Sequence, residues 1–167
     1  MSARFLLSLL LCVAVSPAGA GEFVARPPRP IALVVQDRAG KDLDLKQLAG
    51  KITLVHFWAS WCLSCREEFP ALDALQRDMG GEGLKILAIS LDRIGWPKID
   101  RTIEKTGVRD LAVFHDRNRD AATALGVVGL PTTLLVDAQG REVARMEGPG
   151  AWGDAALRAR IRAVAAN

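Results

Sequence analysis

Residues 52–70 read ITLVHFWASWCLSCREEFP, and this stretch decides the fold of the chain. Its first part, from Ile52 to Trp58, is an apolar run with β-branched and aromatic side chains, which predicts a strand buried on both faces. Apolar residues at helical spacing follow the two cysteines, and a Gly-Gly pair ends that pattern. The stretch therefore predicts a strand, a turn that places Cys62 at or beside a helix N-terminus, and a helix that Pro70 bends.

Two cysteines separated by two residues, Cys62 and Cys65, are the strongest chemical signal in this stretch. Thiols with this spacing on the first turn of a helix can close an intramolecular disulfide, and the positive end of the helix favours the thiolate of the first one. Because the thiolate is the nucleophilic form, Cys62 is predicted to attack a partner and Cys65 to resolve the mixed disulfide. The predicted chemistry is thiol–disulfide exchange.

A metal site is the competing interpretation of such a cysteine pair. A structural zinc site needs four ligands, but a second cysteine pair is missing from the sequence and only His56 and His115 are available as histidine ligands. Soft thiolates suit Cu(I), so a copper-binding or metallochaperone module built from Cys62, Cys65 and His115 stays open as an alternative.

Length and composition exclude several other classes of protein. The 167 residues are enough for one domain of ordinary size and too few for two. Half of the residues are hydrophobic and a quarter are charged, which excludes a disordered or collagenous chain. The net charge is +3, and the basic residues are scattered without a patch interleaved with aromatics. Nucleic acid is therefore not an expected partner.

The first twenty residues are predicted to be a secretory signal peptide. Arg4 gives a short positive start, an apolar run of 11 residues extends from Phe5 to Val15, and small residues end the segment at Ala20. That run falls short of the roughly 20 residues that a spanning helix needs, so a permanent membrane tether is the weaker alternative. The chain is thus expected to be exported to the periplasm, and Cys12 to be lost on cleavage.

Export changes how the remaining cysteines are interpreted. Structural disulfides in an oxidising compartment gain most of their stabilising effect by closing long loops. Cys62 and Cys65 are three residues apart and close almost no loop. A reactive role is therefore the better explanation, and the redox-active disulfide is expected to serve without any other cofactor.

The rest of the chain predicts one α/β domain. Residues 21–30 include the run RPPRP, which predicts an extended, semi-rigid spacer, so the domain is placed at residues 31–167. The further predicted elements are a hairpin over 31–50, a strand at 84–91, a helix at 97–106, a strand at 111–114, a helix at 119–125 capped by Asn118, a hairpin over 132–146 and a helix at 154–165. His115 and Asp116 are expected in a loop at the end of a strand. This alternation predicts a three-layer sandwich with a mixed central sheet.

A second stretch, GLPTTLLVDAQG at residues 129–140, is informative when it is taken together with residues 57–70. Together the two blocks resemble the signature blocks of the TlpA-like and ResA-like thioredoxins, which are exported bacterial thiol–disulfide oxidoreductases. The resemblance extends over about residues 31–165. It implies a thioredoxin-like sandwich with an extra N-terminal hairpin and a strand–helix insertion before the proline block.

The resemblance also implies roles for Leu130 and Pro131. Pro131 would be the cis-proline that faces the disulfide, and the backbone of Leu130 would pair with an extended substrate segment. A cis bond before proline costs only about 0.5–1 kcal/mol. The alternative is an ordinary trans turn proline before a strand.

Three further residues are candidates for the site. In ResA-like members a glutamate at the position of Glu68 helps the acid–base chemistry of the disulfide, although such a carboxylate can also be an exposed partner of the helix dipole. His56 stands where many thioredoxins have a buried acid, and it could accept the proton of Cys65 or be a neutral core histidine. Trp61 is expected to line the docking surface, while the role of Trp96 is left open.

The residues between the two cysteines bear on the direction of electron flow. Leu63 and Ser64, between the cysteines, add no basic group that would stabilise a thiolate, which favours a reductant over an oxidant. The expected function is a periplasmic protein-disulfide reductase with apocytochrome c among its candidate clients, and a disulfide-forming oxidant is the alternative direction. Its partners would be protein thiols and disulfides together with a membrane or periplasmic electron donor.

Overall fold

A computed structural model describes residues 21–165 of the chain, so the predicted signal peptide and Cys12 lie outside the described residues. The strands are β1 (Val24–Pro30), β2 (Val34–Gln36), β3 (Asp42–Asp44), β4 (Ile52–Trp58), β5 (Leu84–Ser90), β6 (Ala112–His115), β7 (Thr132–Asp137) and β8 (Arg141–Glu147). The helices are α1 (Leu45–Leu48), α2 (Leu63–Met79), α3 (Trp96–Thr106), α4 (Asp120–Ala124) and α5 (Ala155–Ala165). None of these helices is long and apolar enough to cross a membrane.

The eight strands form one mixed sheet in the order β1-β8-β7-β4-β5-β6-β2-β3. β4 runs parallel to β5 and antiparallel to β7, and β5 runs parallel to β6. All seven residues of β4 are buried, as its continuous apolar run predicts. The α/β sandwich with a mixed central sheet is confirmed.

Alternate residues of β4 enter two hydrophobic clusters. Leu54 and Trp58 belong to the cluster that includes side chains of α2 and α5, whereas Val55 and Phe57 belong to the cluster that includes side chains of α4. Because successive side chains of a strand point to opposite faces, His56 lies on the same face as Leu54 and Trp58. The strand therefore places this histidine beneath α2.

The prediction for residues 21–30 needs correction. These residues are extended, as expected for a Pro-rich segment, but they are not a spacer outside the domain. Val24 pairs with Arg145 and Pro30 with Arg141, so β1 forms the edge of the sheet beside β8, with an irregularity in register between the two ends. An edge strand tolerates proline because one of its sides needs no N–H donors. Phe23 is also buried, which places the start of the domain before residue 31.

Two local predictions differ in detail. The expected N-terminal hairpin is present as β2 and β3, but Leu45–Leu48 forms α1, which Asp44 and Gln47 begin with a capping box. Asn118 does not cap α4. The N-cap of α4 is Arg119, whose φ is 64°. The carboxylate of Asp116 accepts hydrogen bonds from two N–H groups of the first turn, those of Ala121 and Ala122.

Candidate active site

The two cysteines form a disulfide at the start of α2. Cys62 is the N-cap of the helix, with extended backbone, and its Sγ accepts the N–H of Cys65 at 3.3 Å. This N–H is one of the donors that the first turn of a helix leaves unpaired. Cys65 is completely buried and Cys62 retains slight exposure, so the sulfur that stands at the helix end is also the more accessible one.

Pro131 stands at the same edge of the sheet as the disulfide. The register between β4 and β7 places Phe57 opposite Thr132, so the end of β4 lies beside the start of β7. The disulfide follows the end of β4, and Pro131 immediately precedes β7. The peptide bond between Leu130 and Pro131 is cis, in agreement with the resemblance.

Apolar side chains are exposed around this edge. Trp61 is 66% exposed and Leu63 is 60% exposed, one on each side of Cys62 in the chain. Val128, which lies shortly before Leu130, is 88% exposed. Such a rim is suited to contact with an extended or partly unfolded polypeptide. Trp96, in contrast, is partly buried and packs edge-on against His115.

Glu68 is a buried carboxyl group one turn after Cys65 on α2. Its Oε2 accepts two hydrogen bonds from the loop between β8 and α5: the backbone N–H of Gly150 donates at 2.9 Å and the indole N–H of Trp152 at 2.7 Å. Burial raises the pKa of Glu68 to about 7, although these two donors act in the opposite direction. The alternative of an exposed partner of the helix dipole is therefore wrong.

His56 faces Glu68 from β4. Its Nε2 lies 3.4 Å from Oε1 of Glu68, and its Nδ1 is hydrogen-bonded to the hydroxyl of Thr133 at 2.9 Å. Burial lowers the pKa of His56 to about 3, so the imidazole is neutral at physiological pH. His56 is therefore a neutral core histidine, but one in close proximity to the buried carboxyl group.

The position of the proton in this pair follows from its partners. Oε2 of Glu68 already accepts two N–H donors, so the proton of the neutral acid belongs on Oε1, which faces the imidazole. Nε2 of His56 and Oε1 of Glu68 lie 3.4 Å apart, yet neither has a hydrogen-bond partner among the described residues, whereas Nδ1 of His56 is hydrogen-bonded to Thr133. When Glu68 ionises, the imidazole can change its tautomer and Thr133 can donate instead, because a hydroxyl both donates and accepts.

Glu68 also has a route to solvent. It lines a surface cavity of about 470 Å³ together with Ser64, which lies between the two cysteines. Pro149, Gly150 and Trp152 belong to the same lining. Protons can therefore pass between solvent and the carboxyl group without the opening of the core.

Asp92 holds the turn between β4 and the disulfide. Its carboxylate accepts the backbone N–H and the hydroxyl of Ser60 as well as the hydroxyl of Ser90. Its backbone carbonyl is hydrogen-bonded to Nε2 of His115 at 2.8 Å. The two hydrogen bonds from Ser60 to this carboxylate fix the backbone just before Cys62, because hydrogen bonds to a charged group are about twice as strong as neutral ones.

The structure does not support the copper alternative. His115 is the last residue of β6 rather than a loop residue, and its Nε2 is bonded to the backbone of Asp92. Among residues 21–165, no three His, Cys, Asp or Glu side chains form a group that could hold a metal ion. Cys62, Cys65 and His115 are therefore not brought together as ligands.

Four residues of the site were not predicted from the sequence. Trp152 and Gly150 lie 84 and 82 residues after Glu68, and Thr133 lies 77 residues after His56. No local pattern marks a contact over such separations. Asp92 alone had a usable signal, because an acidic residue directly after a buried strand lies at the edge where the site forms.

Comparison with known proteins gives matches over most of the described residues. The sequence profile of the AhpC/TSA family matches residues 29–144. Thiol-disulfide oxidoreductase ResA from Bacillus thuringiensis subsp. konkukian is 27% identical over 151 residues, which is 87% of this chain and 86% of the relative. Thiol-disulfide oxidoreductase ResA from Bacillus subtilis is 32% identical over 112 residues, or 66% of this chain and 60% of the relative.

The fold has a match among solved structures. A chain from Chlorobium tepidum, described as a thiol:disulfide interchange protein DsbE, superposes with a TM-score of 0.73 at 24% identity. The superposition covers 86% of this chain and 99% of that one. The likeness confirms the thioredoxin-like fold.

Proposed function

This chain belongs to the AhpC/TSA family, and from that membership together with its helix-capping disulfide we propose that it is a reductase of protein disulfides in the periplasm. The resemblance to ResA-like thioredoxins is confirmed by the relatives, which support thiol–disulfide oxidoreductase activity. The direction of electron flow, the compartment and the clients are the proposed part.

The observation that carries the exchange chemistry, though not its direction, is the placement of Cys62. Its sulfur caps α2 and accepts a main-chain N–H, which stabilises the thiolate once the disulfide is reduced. Cys65 is buried one turn deeper and is shielded from direct attack. This asymmetry supports the proposal that Cys62 takes the first step and Cys65 the resolving step.

The reaction then has two exchange steps. The thiolate of Cys62 attacks a client disulfide, forms a mixed disulfide with one client sulfur and releases the other as a thiolate, which takes up a proton. The thiol of Cys65 loses its proton and attacks the sulfur of Cys62, which closes the disulfide and releases the second client thiolate. Two electrons pass to the client, and a dithiol donor restores the reduced protein.

Glu68 is proposed to take the proton of Cys65 in the second step. It lies one turn along the same helix, and burial places its pKa near 7, where a general base works most effectively. His56 would act through Glu68 as a positioning residue, since its imidazole and the hydroxyl of Thr133 can adapt to either protonation state of the carboxyl group. Leu130 and Pro131 would hold the client segment beside the disulfide.

Several features support export and the reductase direction. The N-terminal segment has the composition of a signal peptide, and a ResA from Bacillus is similar over 87% of the chain. Between the cysteines, Leu63 and Ser64 provide no cation that would further stabilise the reduced form. Apocytochrome c is proposed as a client. A membrane or periplasmic donor would reduce this protein, which would then pass the electrons to the client.

Trapping of the mixed disulfide tests the proposal. Cys65→Ser should accumulate a covalent complex with a client disulfide, because the resolving sulfur is missing, whereas Cys62→Ser should form none. The reduction potential of the wild-type disulfide tests the direction. A value near the −270 mV typical of thioredoxin supports a reductase, whereas a value near about −120 mV would identify an oxidant.

A further inference from the structure

A small cavity beside the redox site is lined by four cationic side chains. Its volume is about 190 Å³. Arg66 follows Cys65 directly on α2, while Lys98, Arg101 and Lys105 come from α3. Hydroxyl-bearing residues complete the lining, namely Ser60, Thr102 and Thr106.

The protein does not neutralise these four cations. Within the part of the chain that the structure describes, none of them forms an ion pair. Nε of Arg66 is also buried and lacks a hydrogen-bond partner among those residues. Of the two acidic residues on α3, Asp100 is paired with Arg38 at 2.7 Å and Glu104 is exposed. A buried charged donor without a partner is costly, so the cavity is suited to a negative ligand.

The hydroxyl groups of the lining donate to the protein itself. Thr102 donates to the carbonyl of Lys98, Thr106 to the carbonyls of Thr102 and Ile103, and Ser60 to the Asp92 carboxylate. The donors left for a ligand are therefore the guanidinium and ammonium groups. These are the groups that form strong, charge-assisted hydrogen bonds with carboxylate and phosphate oxygens.

The size of the cavity limits the ligand to a single charged group. A volume of 190 Å³ exceeds the share of one water molecule, about 30 Å³, several times. It is smaller than the roughly 300–1,000 Å³ of sites that enclose a drug-sized molecule. A carboxylate on a longer molecule fits these limits.

The position of the cavity relates it to the polypeptide that the disulfide attacks. Ser60 lies two residues before Cys62, and Arg66 lies one residue after Cys65, so the lining begins on both sides of the active-site turn. The cavity therefore adjoins the turn that carries the disulfide, where a client segment would be attacked.

We propose that the cavity binds an acidic side chain of the client polypeptide and selects clients that carry Asp or Glu near the reacting cysteine. This inference rests on the proposed function, because it concerns the substrate of the same site. Three cations on α3 would attract the carboxylate, and Arg66 would contact it next to the disulfide.

Two synthetic disulfide peptides, identical except for Glu or Gln near the cysteine, provide the test. The ratio of their kcat/KM values measures the selectivity. At low salt the wild type should prefer the Glu peptide about fivefold, the size expected for two or three partly screened charge contacts. The ratio should approach one in 1 M salt, where the Debye length is about 3 Å.

The triple variant Lys98→Gln, Arg101→Gln, Lys105→Gln should reduce this ratio to near one at low salt. Arg66 is kept so that the charge next to Cys65 does not change. The control is Lys51→Gln, Lys85→Gln, which removes two exposed cations at the opposite end of β4 and β5 and should retain the wild-type ratio.

The outcomes distinguish this inference from the proposed function. Exchange with both peptides at an equal rate, or a triple variant with the wild-type ratio, would overturn the inference and leave the oxidoreductase in place. Absence of exchange with either peptide would overturn both. Equal inhibition of both peptides by inorganic phosphate, without a preference for the Glu peptide, would identify a free-oxyanion site and also overturn the inference.

Discussion

The variant Glu68→Gln tests the buried acid–imidazole pair through its effect on stability. Glutamine has the shape of the protonated acid: its oxygen can accept from Gly150 and Trp152, and its amide group can donate towards Nε2 of His56. The variant therefore holds the site permanently in its neutral form. Its free energy of unfolding should match that of the wild type in acid and exceed it at neutral pH.

The size of this effect follows from the pKa of Glu68. The folded protein keeps the proton up to a pH of about 7, whereas the unfolded chain releases it near 4.5. Between these values the folded state binds more protons, so the unfolding free energy of the wild type falls by about 1.36 kcal/mol per pH unit. The wild type should lose about 3 kcal/mol that Glu68→Gln retains.

The measurement is urea unfolding of the oxidised proteins from pH 4 to pH 8. Glu67→Gln is the matched control, because it removes one carboxylate from an exposed neighbouring position on α2. His56 contributes equally to the pH dependence of the unfolding free energy in the wild type and in Glu68→Gln, so its contribution cancels when the two proteins are compared. A difference that stays flat, or that falls as the pH rises, would show that Glu68 is not held neutral by burial.

Three further predictions concern the same region. His56→Gln should gain stability relative to the wild type as the pH falls below 6.5, because the folded state holds the pKa of His56 near 3 while the unfolded chain takes up a proton near 6.5. Acid unfolding followed by circular dichroism measures this difference. The same acid unfolding curve for both proteins would contradict the prediction. Trp152→Phe removes a hydrogen-bond donor that lowers the pKa of Glu68, so the pH at which disulfide exchange accelerates should move upward in stopped-flow assays. An unchanged pH–rate profile would contradict the assigned contact. Copper(I) titration of the reduced protein should give the same affinity for the wild type and His115→Ala, because His115 is bonded to Asp92; weaker binding by the variant would revive the copper alternative.

Local patterns predicted the centre of the fold well. The predicted strand over Ile52–Trp58 agrees with β4 at both ends, because a run rich in apolar, β-branched and aromatic residues is typical of a strand buried on both faces. Cys62 was placed at the helix N-terminus from the apolar spacing that follows it, and it is the N-cap of α2. These features depend on residues that are close in sequence.

The edge of the sheet was harder to predict. Residues 24–30 have the composition of a linker, and their pairing with β8 depends on a strand more than 100 residues away. Arg29 donates to Glu142 across this pair, and burial of Glu142 beside Arg145 anchors the edge. Neither partner can be inferred from the Pro-rich segment itself, because the contact exists only once the sheet has formed.

The acid–imidazole pair shows the same limit within the site. The sequence suggested Glu68 and His56 separately, from family resemblance and from position relative to the first cysteine. Their proximity of 3.4 Å arises because His56 lies on the face of β4 that packs beneath α2, one turn of helix beyond Cys65. The donors that tune the carboxyl group come from the loop before α5, which no local signal connects to α2.

The loss of folding stability that the buried Glu68 causes at neutral pH bears on its proposed function. Burial without a cation makes an ionised carboxylate unfavourable, and the protein loses stability at neutral pH by keeping it there. A glutamine could accept the same hydrogen bonds from Gly150 and Trp152 without that loss. What glutamine cannot do is take up and release a proton near neutral pH, one helical turn from a cysteine that must lose one. Uptake and release of a proton is the property that the proposed resolving step would use, because Cys65 must lose its proton before it attacks.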